Sequence, residues 1–111
     1  MKCHSSNLRL VIADDHPIFR EGLRKVLDEG GAGRVLAEAS DGSGALAMVR
    51  EHRPDMVLLD IAMPGLNGLG VAREIRNAGL PTAIVFLTMF KEEDLFNEAL
   101  DLGALGYVLK E

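Results

Sequence analysis

Met56-Val57-Leu58-Leu59-Asp60-Ile61-Ala62-Met63-Pro64-Gly65 is the stretch that decides the fold. Its first four residues are apolar with no polar alternation, the pattern of a strand covered on both faces in a parallel sheet. The run halts at an aspartate, where strand pairing gives out and where open α/β sheets place their ligands. Upstream, Leu10-Val11-Ile12-Ala13 is a similar run and ends in Asp14-Asp15. If the two strands are neighbours, three carboxylates meet at one sheet edge.

Strand and helix signals alternate along the rest of the chain. Strands are expected over 8–13, 34–39, 56–60, 82–87 (closing on Thr88) and 106–109, with centres about 22 to 27 residues apart, the spacing of βαβ units. Pro17 opens a helix whose apolar face is Phe19, Gly22, Leu23, Val26 and Leu27, and Gly30-Gly31-Ala32-Gly33 ends it. Ser40-Asp41-Gly42-Ser43 caps a second helix running to about Arg53, with Ala45, Leu46 and Val49 inward. A third runs from about Leu69 to Ala78. The fourth carries acid in its first turn at Lys91-Glu92-Glu93-Asp94, turns Leu95, Ala99 and Leu102 inward, and closes at Gly103. Right-handed crossovers and the burial of strands one, three and four favour a flavodoxin-like doubly wound α/β sheet of five parallel strands in the order 2-1-3-4-5. That order makes strands one and three adjacent.

The alternation reaches Glu111 directly after the fifth strand, where one more helix is expected. With the fifth helix absent from this chain, one face of strands one and five is expected to be uncovered, an apolar patch that would drive self-association.

The bulk numbers agree with one soluble domain over 8–111, preceded by a flexible N-terminus over 1–7. The 111 residues are 48% hydrophobic and 26% charged, too few for two cores. A net charge of −5 argues against a nucleic-acid surface. The single cysteine, Cys3, excludes an internal disulfide framework, and Cys3-His4 has no second pair with which to build a metal site. No signal peptide is legible, and the longest apolar stretch, Thr82 to Phe90, falls short of the roughly 18 residues of a membrane span. A cytoplasmic location is expected.

Chemistry gathers at the strand tips: Asp14-Asp15, Asp60, Thr88 and Lys110. Three packed carboxylates repel, so one should hold its proton more tightly than usual unless a cation lies among them. Mg²⁺ suits such a site, since it uses one or two carboxylates and keeps several waters. With Lys110 adding positive charge and Thr88 a hydroxyl, the set could neutralise a phosphoryl group in flight while a carboxylate attacks it. Asp60, alone at a central tip, is the best-placed nucleophile. Taken singly, each residue has a plainer role: Asp14-Asp15 as a helix-capping pair, Asp60 as a turn residue, Thr88 as filler, Lys110 as a solvated charge. His16, beside the acid pair, has the chemistry of a ligand, but a helix-cap or surface role is expected.

Four motifs in order, Val11-Ile12-Ala13-Asp14-Asp15-His16-Pro17, Leu58-Leu59-Asp60-Ile61-Ala62-Met63-Pro64-Gly65, Leu87-Thr88 and Gly106-Tyr107-Val108-Leu109-Lys110, closely resemble the receiver domains of two-component response regulators, NarL/FixJ-like in wording. The resemblance covers the chain from Leu8 onward. It implies a CheY-like fold and phosphorylation of Asp60 by a sensor histidine kinase. It also implies Mg²⁺ on Asp15, Asp60 and the Ala62 carbonyl with Asp14 helping through water, and phosphoryl contacts from Thr88 and Lys110. Thr88 and Tyr107 would be the switch pair, and Ala62 and Phe90 would tune loss of the phosphate. The family's usual output is a DNA-binding domain, here lying beyond the chain. The rival class is a Mg²⁺-dependent phosphatase or phosphotransferase with an aspartate nucleophile. Enzymes of the haloacid-dehalogenase kind need a second aspartate two residues on, where this chain has Ala62. A flavodoxin-like cofactor binder is disfavoured because Asp14-Asp15 would repel a phosphate.

Overall fold

The computed structural model describes residues 8–31, 33–89 and 93–110. The elements are β1 (Arg9–Ala13), α1 (Pro17–Gly30), β2 (Arg34–Ala39), α2 (Gly42–His52), β3 (Met56–Asp60), α3 (Gly68–Asn77), β4 (Ala83–Thr88), α4 (Glu93–Asp101) and β5 (Gly106–Leu109). The expectations placed on residues 1–7, Phe90, Lys91, Glu92 and Glu111 lie outside the described residues.

The strands form one five-stranded sheet in the order β2-β1-β3-β4-β5, and every pairing is parallel. This is the flavodoxin-like, CheY-like architecture expected from the alternation. Register brings Ala13 beside Leu59, Asp60 beside Leu87, and Thr88 beside Leu109. The chain therefore leaves β1, β3, β4 and β5 along one rim.

Period-two alternation divides each strand between two faces. Val11, Ala13, Val57, Leu59, Ile84 and Phe86 pack against Ala45 and Val49 of α2, Val71, Ala72 and Ile75 of α3, and Ala99 of α4. On the other side Ile12, Leu58 and Leu87 meet Phe19, Leu23 and Leu27 of α1. None of the described α1 residues is fully buried. Two of the five residues of its expected apolar stripe face outward: Gly22 is exposed and Val26 is 67% exposed.

The expected uncovered face of strands one and five is only partly correct. Ile12 is fully buried, because α1 crosses back over β1 and β2. The opening is confined to β5, where Val108 is 48% exposed.

Helix ends follow local chemistry. The Asp41 carboxylate accepts from the Gly44 N–H at 2.7 Å and starts α2. Asn67 does the same for Gly70 at 2.9 Å, so α3 begins at Gly68, one residue before the expected Leu69. α1 ends on Gly31, whose φ of 67° is a left-handed cap that favours glycine.

Candidate functional site

The rim of the sheet collects the acids. Asp14 follows β1, with its N–H donating to the Ala39 carbonyl at 3.0 Å, and it is completely buried. Asp60 ends β3 and is 2% exposed. Asp15 is partly exposed. Oxygens from these three carboxylates and a ring nitrogen of His16 all lie within 4.8 Å of one another.

Lys110 comes in from the end of β5, where its N–H donates to the Thr88 carbonyl at 2.8 Å. Its side chain is 3% exposed; Nζ lies 2.8 Å from Asp14 Oδ2 and 3.3 Å from Asp60 Oδ2. The Phe19 ring sits beneath the ammonium, 4.7 Å from Nζ to the centroid. Asp60 Oδ1 accepts from the Ala62 N–H at 3.2 Å. Asp14, Asp15, Asp60 and Lys110 are thus brought together as the sequence predicted, with Ala62 presenting backbone.

Electrostatics are dominated by burial. Desolvation, reinforced by the neighbouring Asp14 carboxylate, holds the Asp60 carboxyl above the usual carboxylate range. Lys110 and the Ala62 N–H pull the other way and do not win. A divalent cation fits this notch. Asp15 Oδ1 is a buried oxygen with no hydrogen bond among the described residues, Asp14 Oδ2 is held by the Lys110 ion pair, and hard carboxylate oxygens are what Mg²⁺ takes.

Thr88 ends β4 one residue beyond Asp60's register partner and is buried. Tyr107 is separate from the acid cluster: half-buried on the α4 side, it meets Phe96 edge-on, centroids 5.4 Å apart at 83°. Phe90 lies outside the described residues.

Several supporting residues were not found by sequence reasoning. Arg20 donates to the Asp14 carbonyl at 2.6 Å and to Glu38 at 2.9 Å, and Arg24 completes the grip on Glu38 at 2.8 Å. His16 stands at the N-cap of α1, yet its side chain makes no capping bond among the described residues. Its ring faces the acids instead.

Two glycines lock the loop after β3. A Cβ on Gly68 would stand 2.4 Å from the Asp60 carbonyl oxygen, and one on Gly42 would stand 1.7 Å from that of Leu66. Only glycine lets the start of α2 approach Leu66 of this loop, and the start of α3 approach the end of β3, so closely.

Comparison with known proteins gives a consistent answer. Residues 10–111 match the family model described as the response regulator receiver domain. The transcriptional regulatory protein NarL of Mycobacterium tuberculosis is 41% identical over 104 residues, which are 94% of this chain and 48% of NarL. The solved signal receiver domain of NarL from the same organism superposes with a TM-score of 0.91 at 41% identity, over 95% of this chain and 85% of that one. The isolated receiver domain of RcsB from Salmonella enterica, solved in the presence of the phosphomimetic BeF₃⁻, gives 0.86 at 30% identity, over 94% and 78%. The chain spans about half the length of the curated relatives it matches. It belongs to the response regulator receiver domain family, in its NarL-like branch.

Proposed function

We propose that this domain is the phosphoacceptor of a two-component signalling pathway, taking a phosphoryl group from a sensor histidine kinase onto Asp60. The observation that carries the proposal is the buried Asp60 carboxylate at a central strand tip, 3.3 Å from the Lys110 ammonium and flanked by Asp14 and Asp15.

In the transfer, an Asp60 oxygen forms a bond to phosphorus as the phosphorus–nitrogen bond of the donor phosphohistidine breaks. The electron pair leaves on the imidazole, which takes a proton from solvent. Asp15, Asp60 and the Ala62 carbonyl would hold Mg²⁺, with Asp14 assisting through water; the ion supplies positive charge against the phosphoryl oxygens. Lys110 neutralises charge from the β5 side, and Thr88 donates its hydroxyl to the new phosphate. The product carries more negative charge and three strong acceptor oxygens, so the domain shifts toward the state in which Thr88 turns inward and Tyr107 follows.

The output is transcriptional control through a DNA-binding domain beyond this chain, and the site of action is cytoplasmic. Relatives named as transcriptional regulators support that reading; no described helix is long and apolar enough to cross a membrane. Exposed Ile18, Val26, Leu105 and Val108 support self-association through the open α1 and β5 surfaces. Sedimentation should then show a concentration-dependent dimer, and a monomer throughout would remove that part of the proposal.

Acetyl phosphate with Mg²⁺ should add one phosphoryl group to the wild type and none to Asp60→Asn, measured by intact mass. Fluoroberyllate should change the emission of Tyr107, the chain's one tyrosine in the absence of tryptophan. Unmodified wild type beside a competent control receiver would overturn the assignment.

A further inference from the structure

His16 has an environment that helix capping does not explain. Its Nδ1 lies 3.2 Å from Asp14 Oδ1, 3.3 Å from Asp15 Oδ1 and 3.8 Å from Asp60 Oδ2. It also lies 3.0 Å from Lys110 Nζ. An ammonium has hydrogens and no lone pair, so that last contact is a hydrogen bond only when Lys110 donates and Nδ1 accepts. The ring proton is then on Nε2, and the single Nδ1 lone pair, taken by Lys110 here, becomes available to a cation among the carboxylates only when the ammonium gives it up.

Three carboxylate oxygens point at the same place. Lone pairs that face one another at these separations repel unless positive charge lies between them. Lys110 supplies part of it, from the side of Asp14 and Asp60. Asp15 lacks that help: its buried Oδ1 has no hydrogen bond among the described residues, and Nδ1 is the atom it faces.

We infer that His16 Nδ1 is a nitrogen ligand of the divalent cation that Asp15 and Asp60 hold, giving the site a preference for first-row transition ions over Mg²⁺. The chemistry is that of the donor set. Mg²⁺ binds oxygen and gives up its waters reluctantly, so an imidazole gains it little. Ions from Mn²⁺ upward in the Irving–Williams order accept mixed nitrogen and oxygen ligands, and more strongly along the series. Pro17 aids the arrangement by beginning the helix immediately after His16, whose own backbone is extended at φ −103° and ψ 101°. The His16 N–H is already committed to Asp14 Oδ1 at 2.7 Å, which fixes the base of the side chain beside the acids.

The inference rests on the cation site proposed above, and the test separates the two. Mn²⁺ would be bound to the full chain, and pulsed electron paramagnetic resonance used to look for directly bonded nitrogen. The wild type should show ¹⁴N coupling of a coordinated imidazole, and His16→Gln should lose it. Calorimetric titration should find Mn²⁺ affinity lowered roughly tenfold in His16→Gln, by the usual cost of disturbing a metal's ligand set, with a smaller change for Mg²⁺. His16→Asn, which retains a capping side chain, should behave like His16→Gln, and circular dichroism would establish that both variants fold. Wild type that binds Mn²⁺ through oxygen alone, or does not bind it, would overturn the role given to His16. If that same sample is phosphorylated by acetyl phosphate with Mg²⁺, the phosphoacceptor reading survives. If it is not, the phosphoacceptor reading falls as well.

Discussion

The two faces of the sheet are built differently. One packs Val57, Leu59, Ile84 and Phe86 under three helices, while the other sets Ile12, Leu58 and Leu87 under α1 alone. The rim chemistry follows the same division. By alternation Asp60 falls on the side of Leu58, and Lys110 on the side of Val108, the thinly covered face. Thr88 and Tyr107 fall with Phe86 on the thick one. On the function proposed above, charge would be handled beside α1 and the conformational response would belong to the side that packs α4. Thr88, at the rim between them, would be the link.

The sharpest way to break this division is to remove the ammonium. Lys110→Met leaves Asp14 and Asp60 buried without their partner, and stability in the absence of divalent cation should fall by about 3 kcal/mol, the cost of orphaning one half of a buried pair. Phosphorylation of Asp60 should slow by about 100-fold or more, as when a preorganised charge-stabilising group is lost. Urea unfolding and a timed acetyl phosphate reaction measure the two effects. A variant as stable and as fast as the wild type would place the active charge elsewhere.

Backbone approach separates the faces next. A methyl on Gly42 would press on the Leu66 carbonyl, whereas one on Gly22 of α1 meets nothing within 4 Å. Gly42→Ala should destabilise by about 2 kcal/mol through overpacking. Gly22→Ala should stabilise by about 0.5–1 kcal/mol through helix propensity. Opposite signs in thermal melts would support a tight fit of α2 on the loop after β3 against an open α1, and equal signs would remove the contrast.

How far the sequence revealed this arrangement depended on whether a residue advertises its place locally. Asp14, Asp60 and Lys110 were legible because each terminates an apolar run, and a parallel sheet brings such ends to one rim. The β3 and β5 bounds were legible for the same reason, and those of β2 from the weak alternation of Arg34 to Ala39. Arg20 and Glu38 were not, since their bond joins a helix to an edge strand and neither residue has a periodic or capping signature. His16, beside the acid pair, is legible as a ligand, a cap or a surface residue; its backbone takes the cap position, and its ring faces the acids. The open half of α1 was also hidden, because a helical stripe gives the direction of a face but not what lies against it.

Titration of Asp60 gives a smaller effect of definite sign. Burial and Asp14 raise its native carboxyl above the ordinary 3.8, so the native state holds the proton more tightly than the unfolded one. The associated stability is fully present below the unfolded value and is lost as pH rises through the native value. Asp60→Asn has no such loss, so its advantage over wild type should grow across that window and then level off. At neutral pH, without divalent cation, its melting temperature should be higher than that of the wild type. Mg²⁺ should stabilise the wild type more than the variant and narrow the gap.

The smallest effects test whether the faces act separately. Phe19 lies under the Lys110 ammonium, and Phe96 meets Tyr107 on the opposite side. Phe19→Leu keeps apolar cover over Ile12 and Leu58 but loses the electron-rich ring, at a cost of about 0.5–1 kcal/mol. The loss should appear as a slower reaction at Asp60 with Tyr107 emission unchanged, and Phe19→Tyr, which retains a ring, should restore the rate. Phe96→Leu removes an edge-to-face contact of about 0.5–1.5 kcal/mol, and should alter Tyr107 emission while leaving the acetyl phosphate reaction at its wild-type rate. If each substitution disturbed both readouts equally, chemistry and response could not be assigned to opposite faces. Thr88 would then be one of several routes between them.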